Sequence, residues 1–242
     1  VKKMTLIKVL ASGSSGNCYI IQAGEEKLVI ECGIDYKSIL KGLNYNIKGV
    51  VGCLISHKHT DHCKSLKKIY ENFPKICAPL EVLEKFEYDK YHKSILARSK
   101  DTFKIGGFTI MPFNCQHTDS DGLECENLGY LIQHKLTGKI LFATDTYYLK
   151  YKFKDISHIL IECNYSESTI QALEPHEQRI FKSHMSLETL KTTLSTWDLI
   201  KTKTITLIHL SHNNGEPERF KKEIEALTGI PTYIAGEGLE VG

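Results

Sequence analysis

No stretch of the chain approaches eighteen consecutive apolar residues, so nothing in it reads as a membrane-spanning helix. The opening Val1-Lys2-Lys3-Met4 has neither the apolar region nor the small-residue cleavage site of an export signal, and it runs directly into a strand-like segment. These absences lead us to expect a cytoplasmic protein with no membrane partner. No two cysteines have C-x-x-C spacing, which excludes a zinc ribbon. The eight cysteines, at 18, 32, 53, 63, 77, 115, 125 and 163, sit mostly inside apolar strand-like runs. Free buried thiols in a reducing compartment are expected, not four disulfides. A phosphate-binding loop, a dinucleotide fingerprint, a G-x-S-x-G elbow and a Ser-His-Asp arrangement are all missing. So are a long basic arm and an aromatic-rich RNA motif, and the formal charge is only +2. That balance tolerates an anionic substrate without requiring one. Lys64, Lys67 and Lys68 are nevertheless placed to attract phosphate.

What is present is concentrated in Ser56-His57-Lys58-His59-Thr60-Asp61-His62, an H-x-H-x-D-H pattern after the apolar run Val50 to Ile55. Three imidazoles and a carboxylate in six residues make poor packing material, since each brings hydrogen bonds that a core must satisfy. They suit a metal site. With extended backbone, His57 and His59 project to one side, while the adjacent Asp61 and His62 cannot share that direction. Two ligand pairs aimed differently predict two neighbouring metals. His117 follows a strand and would complete a site with His57 and His59. Asp145, at the end of Ile140-Leu141-Phe142-Ala143, is a ligand candidate whose ordinary alternative is an Asx-turn or a cap. The single histidines 92, 134, 158 and 176 have no local cluster and are read as surface or core residues.

The spacing of apolar residues and turn formers predicts strands over 5–10, 18–23, 27–31 and up to Ile55, then 76–78, a 103–111 hairpin turning at Gly106-Gly107, 128–133, 139–143, 156–162, 204–208 and 232–235. Helices are expected over 34–43, 62–72, 80–87, part of 173–182, 187–198 with Ser186 as N-cap, and from Pro217 to a stop near Gly229. The Ser/Gly run 12–16 is either a tight hairpin or a set of N–H groups facing the site. Residues 88–102 read as a surface loop or a cleft rim. The polar 119–127 stretch lacks calcium-loop spacing. Tyr147, Tyr148 and Tyr151 form an aromatic wall or cover the core. No linker or repeat divides the chain, so 1–242 is expected to be one α/β or α+β domain.

The H-x-H-x-D-H motif is followed in order by Cys115-Gln116-His117-Thr118, Ala143-Thr144-Asp145-Thr146 and Leu210-Ser211-His212-Asn213-Asn214. With these segments the chain resembles the metallo-beta-lactamase fold hydrolases. Ala11-Ser12-Gly13-Ser14-Ser15-Gly16-Asn17-Cys18, Leu160-Ile161-Glu162-Cys163-Asn164-Tyr165 and Ser183-His184-Met185-Ser186 make it similar to the YycJ-like nuclease and phosphodiesterase branch. The resemblance implies a four-layer αββα sandwich with metals at one edge between two mixed sheets. It implies one metal on His57, His59, His117 and Asp145, and a second on Asp61, His62, Asp145 and His212, with His209 the rival of His212. Two divalent ions, zinc or manganese with iron compatible, would act on a nucleic acid or nucleotide-like phosphodiester through a bridging hydroxide. Asp61 would orient that hydroxide, and His184 would contact the phosphate or protonate the leaving oxygen. DNA exonuclease activity is the leading expectation. A small-molecule cyclic phosphodiesterase and a thioester hydrolase of the glyoxalase kind are the alternatives. One departure stands out: Glu31-Cys32-Gly33 replaces the family's Asp before glycine, so that Glu31 either reaches one methylene further or loses the interaction.

Overall fold

The computed structural model describes residues 5–87, 92–118, 122–170 and 181–242. Two seven-stranded sheets form its centre. The first contains β1 (Thr5–Ala11), β2 (Cys18–Ala23), β3 (Glu26–Ile30), β4 (Val50–Leu54), β5 (Ile76–Ala78), β6 (Ser94–Leu96) and the final β14 (Glu240–Val241), in the order β14-β1-β2-β3-β4-β5-β6. The second contains β7 (Phe103–Ile105), β8 (Phe108–Cys115), β9 (Asn127–His134), β10 (Gly138–Ala143), β11 (His158–Glu162), β12 (Thr204–Ile208) and β13 (Thr232–Ile234), in the order β13-β12-β11-β10-β9-β8-β7. Each sheet is antiparallel at one end and parallel at the other, from β3 to β6 in the first and from β10 to β13 in the second.

Between the sheets lies a core that includes Ile7, Tyr19, Ile21, Leu54, Phe108, Tyr130, Phe142 and Leu160. The helices α1 (Tyr36–Gly42), α3 (Leu66–Asn72) and α4 (Leu80–Lys85) cover the outer face of the first sheet through Ile39, Leu66, Ile69, Val82 and Leu83. The helices α5 (Leu187–Ser195) and α6 (Pro217–Thr228) cover the second through Leu187, Leu190, Leu194, Phe220 and Ile224. The result is the expected four-layer αββα sandwich. The buried parallel strands are near-continuous apolar runs because both of their faces are covered. Among the described residues, no helix is long and apolar enough to cross a membrane.

Some boundaries differ from the sequence expectation for identifiable reasons. The helix expected over 62–72 is split into α2 (Thr60–Cys63) and α3. The Ser65 amide donates to Cys32 O at 2.9 Å and its hydroxyl to Ile34 O at 2.5 Å, which diverts the chain toward β3. Residues 94–96, read only as loop or rim, form the edge strand β6 beside β5. Ser94-Ile95-Leu96 is too short to carry an alternation that would mark a strand. Of the two hairpin glycines only Gly106 has a positive φ, +55°, while the Gly107 amide donates to Glu26 Oε2 at 2.8 Å. The 173–180 part of the helix expected over 173–182, His176 included, lies outside the described residues, as do 88–91 and the 119–121 part of the polar loop. All eight cysteines are free and buried.

Candidate metal centre

The strand ends that carry chemistry converge at one edge of the sandwich. β4 leads to the 56–62 motif, β8 to His117, β10 to Asp145, β11 ends in Glu162, and β12 leads to His209. The loop after β4 is drawn against the end of β3 at Gly33, where a Cβ would lie 1.6 Å from the Asp61 carbonyl oxygen. Only glycine permits that approach. It fixes α2 under the site, with the Cys32 amide donating to His62 O at 2.8 Å.

Within this edge, donor atoms fall into overlapping groups whose members lie within 4.8 Å of one another. His57, His59 and His117 form one group; the Nε2 of His57 is 2.9 Å and that of His117 3.3 Å from His59 Nδ1. Asp61, His62 and His209 form another, with Asp61 Oδ2 at 3.2 Å from His62 Nε2 and 3.5 Å from His209 Nε2. Asp145 lies between them. Its Oδ2 is 3.1 Å from His62 Nε2, its Oδ1 is 3.7 Å from His209 Nε2, and it also groups with His57 and His62. The expectation of two groups around a shared Asp145 therefore has a geometric counterpart.

One assignment is corrected. His209, and not His212, enters the second group. His209 is buried and is the first residue beyond β12, whereas His212 lies three residues further along, exposed in a turn. The same rule that located Asp145, a polar residue just past a buried parallel strand, would have selected His209.

Asp145 and His209 both hold left-handed backbone conformations, with φ of 49° and 54°. Such strain in a residue other than glycine persists only where surrounding contacts enforce it. In each case a buried asparagine does so. Asn127 Nδ2 donates to Thr144 O at 2.9 Å and Asp145 O at 2.6 Å, and Asn164 Nδ2 donates to His209 O at 2.7 Å. The His209 amide donates to Ser12 Oγ at 2.9 Å, so the Ser/Gly loop is both a turn and a support for the site.

Nothing in the local sequence around Glu162 marks it for a role in the site. Fully buried, its Oε1 faces His184 Nδ1 at 2.6 Å and His209 Nδ1 at 3.1 Å. Its Oε2 accepts from the amides of Thr146 (2.8 Å) and Met185 (3.3 Å). Accepting from Nδ1–H leaves His209 Nε2 as the free donor atom, aimed at Asp61 and Asp145. Ser183 O does the same for His117, at 3.0 Å from its Nδ1. Glu31 does reach further, as its extra methylene allows: Oε1 accepts from the Ser56 amide at 3.1 Å, and Oε2 lies 3.6 Å from His62 Nδ1. His184 is partly exposed, as are His59 and Asp61, and its ring is stacked on His209 at 5.3 Å.

The electrostatics match a cation site. Burial pushes His57 and His117 below the ordinary imidazole range, which keeps them neutral and able to ligate. Burial acts the same way on His62 and His209, but the carboxylates, Asp145 foremost, outweigh it. Both are raised, His209 to about 10. Against the opposing effect of their own burial, the surrounding histidines hold Asp61 and Asp145 below the usual carboxylate range. His209 Nε2 is buried without a hydrogen-bond partner, although it points at two carboxylates. An orphaned imidazole nitrogen, converging ring nitrogens and clustered carboxylates are a donor set that fits divalent metal ions.

Comparison with known proteins agrees. Residues 27–210 match the family described as "Beta-lactamase superfamily domain". The chain belongs to the beta-lactamase superfamily. With its two clustered ligand groups, it is a dinuclear metal-binding hydrolase of that superfamily. It is 26% identical over 250 residues to the exodeoxyribonuclease YycJ of Bacillus anthracis, covering 96% of this chain and 92% of that protein. Among solved structures, the metallo-beta-lactamase fold protein YhfI from Bacillus subtilis superposes with a TM-score of 0.74 at 17% identity, covering 98% and 99% of the two chains. Zinc-bound PqqB from Methylobacterium extorquens superposes with a TM-score of 0.75 at 14% identity, with the same coverage.

Proposed function

We propose that the chain hydrolyses phosphodiester bonds of nucleic acid, as a DNA exonuclease, with residues 1–242 acting as one domain. The reading is carried by the Glu162–His184 pair, a histidine held by a buried carboxylate at the open side of the metal-ligand groups. The likeness to an exodeoxyribonuclease over nearly the full length of both chains supports the choice of DNA. The eight free buried thiols favour the reducing cytoplasm.

His57, His59 and His117 would hold one ion and Asp61, His62 and His209 the other, with Asp145 serving both. Zinc and manganese suit these donors best, and iron is compatible. Bound there, the ions lower the pKa of a water toward neutrality and neutralise the oxygens of the attacked phosphate. The chain's own groups do the rest. Asp61, whose amide carbonyl is gripped by the Asn17 amide at 2.8 Å, orients the attacking water. His184 is tied to Glu162 through Nδ1, so Nε2 is the atom free to approach the departing oxygen. The carboxylate fixes the ring's orientation, so that Nε2 can hand a proton to that oxygen. His184 is accordingly a catalytic residue and not a metal ligand.

The test is turnover by metal-reconstituted protein on double-stranded DNA, single-stranded DNA, RNA and a simple bis-phosphodiester. Stepwise release of nucleotides from DNA ends is expected. Activity confined to the small diester would remove the nucleic-acid part of the reading, and thioester hydrolysis without diester hydrolysis would overturn it entirely.

A further inference from the structure

A groove of about 370 Å³ lies between the 148–152 segment and α5. Its walls continue from the two segments that carry the chemistry. Tyr148 follows Asp145 by three residues, and α5 starts just after His184. The connection is tight, since Thr146 donates its amide to Glu162 Oε2 and its hydroxyl to Tyr148 O at 2.9 Å. Both walls of the groove thus belong to segments that begin at the metal centre.

The lining has a definite chemistry. Tyr148 is 50% exposed and makes no ring contact among the described residues, whereas Tyr151 beside it packs on Phe113 and Phe153. On the opposite wall, Thr192 and Thr196 direct their hydroxyl protons back to Glu188 O and Thr193 O, so they offer no free donor to the groove. Lys150 and Lys152 are exposed on the 148–152 wall, and no carboxylate lies in ion-pair range of either among the described residues. Lys150 instead sits over the Tyr151 ring at 5.5 Å. The acidic residues of the groove lie toward the start of α5. There Glu188 is engaged by Ser166 Oγ and the Glu167 amide, and Glu167 accepts from Ser186 Oγ. The groove thus has a free aromatic face, two exposed lysines and, toward the start of α5, hydrogen-bond acceptors.

We propose that this groove is a subsite for one nucleotide of an unpaired DNA strand, its base stacked on Tyr148 and its phosphate met by Lys150 and Lys152. A planar base matches the aromatic wall, the lysines match the polyanionic backbone, and Glu167 offers an acceptor to an exocyclic amine. The proposal rests on the nucleic-acid reading above and assigns where the strand beside the cleaved bond runs.

The experiment compares kcat and KM on a single-stranded oligodeoxynucleotide with those on methyl nitrophenyl phosphate, which has no base and no second phosphate. Tyr148→Ala is expected to lower kcat/KM on the oligonucleotide by about 5- to 150-fold more than on the small diester, the range that one stacked base carries. The loss falls mainly on KM, and Tyr148→Phe restores most of it. The double variant Lys150→Ala/Lys152→Ala is expected to weaken oligonucleotide binding and to flatten its salt dependence. Equal losses on both substrates, or oligonucleotide KM values at the wild-type level in both variants, would overturn the subsite while leaving the nuclease reading intact. A wild-type protein that cleaves the small diester but no oligonucleotide would remove the nuclease reading itself, and the subsite with it.

Discussion

Replacing Glu162 by glutamine removes a charge and one acceptor while keeping the shape. The carboxylate serves four donors, two imidazoles on Oε1 and two backbone amides on Oε2. An amide has only one acceptor oxygen, so either orientation leaves two donors facing an N–H₂ group. At about 1–3 kcal/mol for each buried donor left unpaired, the rigid cost is about 2–6 kcal/mol. The imidazoles can escape by changing tautomer, whereas the backbone amides cannot. The glutamine oxygen is therefore expected to stay with Thr146 and Met185, and its N–H₂ group to face His184 and His209. His209 then carries its proton on Nε2, the atom required as a ligand. We expect metal affinity at the second site to fall about 10- to 100-fold, the usual effect of losing a partner behind a ligand. Metal content after dialysis and calorimetric titration would read this directly, with the first site still filled. A Glu162→Gln protein that binds two metals with wild-type affinity would refute the reasoning.

His209→Ala is expected to lose one metal per chain and nearly all turnover, while His212→Ala retains both metals and activity; metal analysis of the two purified variants decides between them. His184→Ala should keep both metals and the fold but lose about 10²- to 10⁴-fold in turnover. A diester with a much better leaving group should recover more of that rate, and equal impairment on both substrates would argue for phosphate positioning in place of proton transfer. The metal-free protein should have a distinctive pH dependence. His209 is raised from the ordinary imidazole value to about 10, so its contribution to stability is full below about 6.5 and is lost as pH rises toward 10. Asp61 and Asp145 are depressed, so their contribution is present above about 4 and is lost on acidification. Thermal unfolding of chelator-treated protein should show the alkaline loss, and metal-loaded protein should not, because metal replaces the His209 proton. Proton release on filling the second site, with apparent affinity rising toward pH 10, is the calorimetric counterpart.

Sequence alone settled those features that depend on local spacing. The H-x-H-x-D-H motif announced two metals because adjacent Asp61 and His62 cannot aim where His57 and His59 aim. Apolar runs of strand length identified most of the strands of both sheets, and Ser186 with Glu188 marked the start of α5, where the Ser186 hydroxyl accepts from the Thr189 amide at 3.0 Å. Features decided by contact between distant segments were not readable in this way. Residues 94–96 become a strand only because β5 offers them an edge. His209 and His212 are near neighbours in sequence with similar local chemistry. Burial at the end of β12, the grip of Asn164 and the Ser12 hydroxyl put one in the site, while the turn that follows leaves the other in solvent. Glu162 reads locally as the polar end of a buried strand. Its role arises only when the folded sandwich brings the Thr146, His184 and His209 segments around its two oxygens, where a buried carboxylate needs every one of those partners.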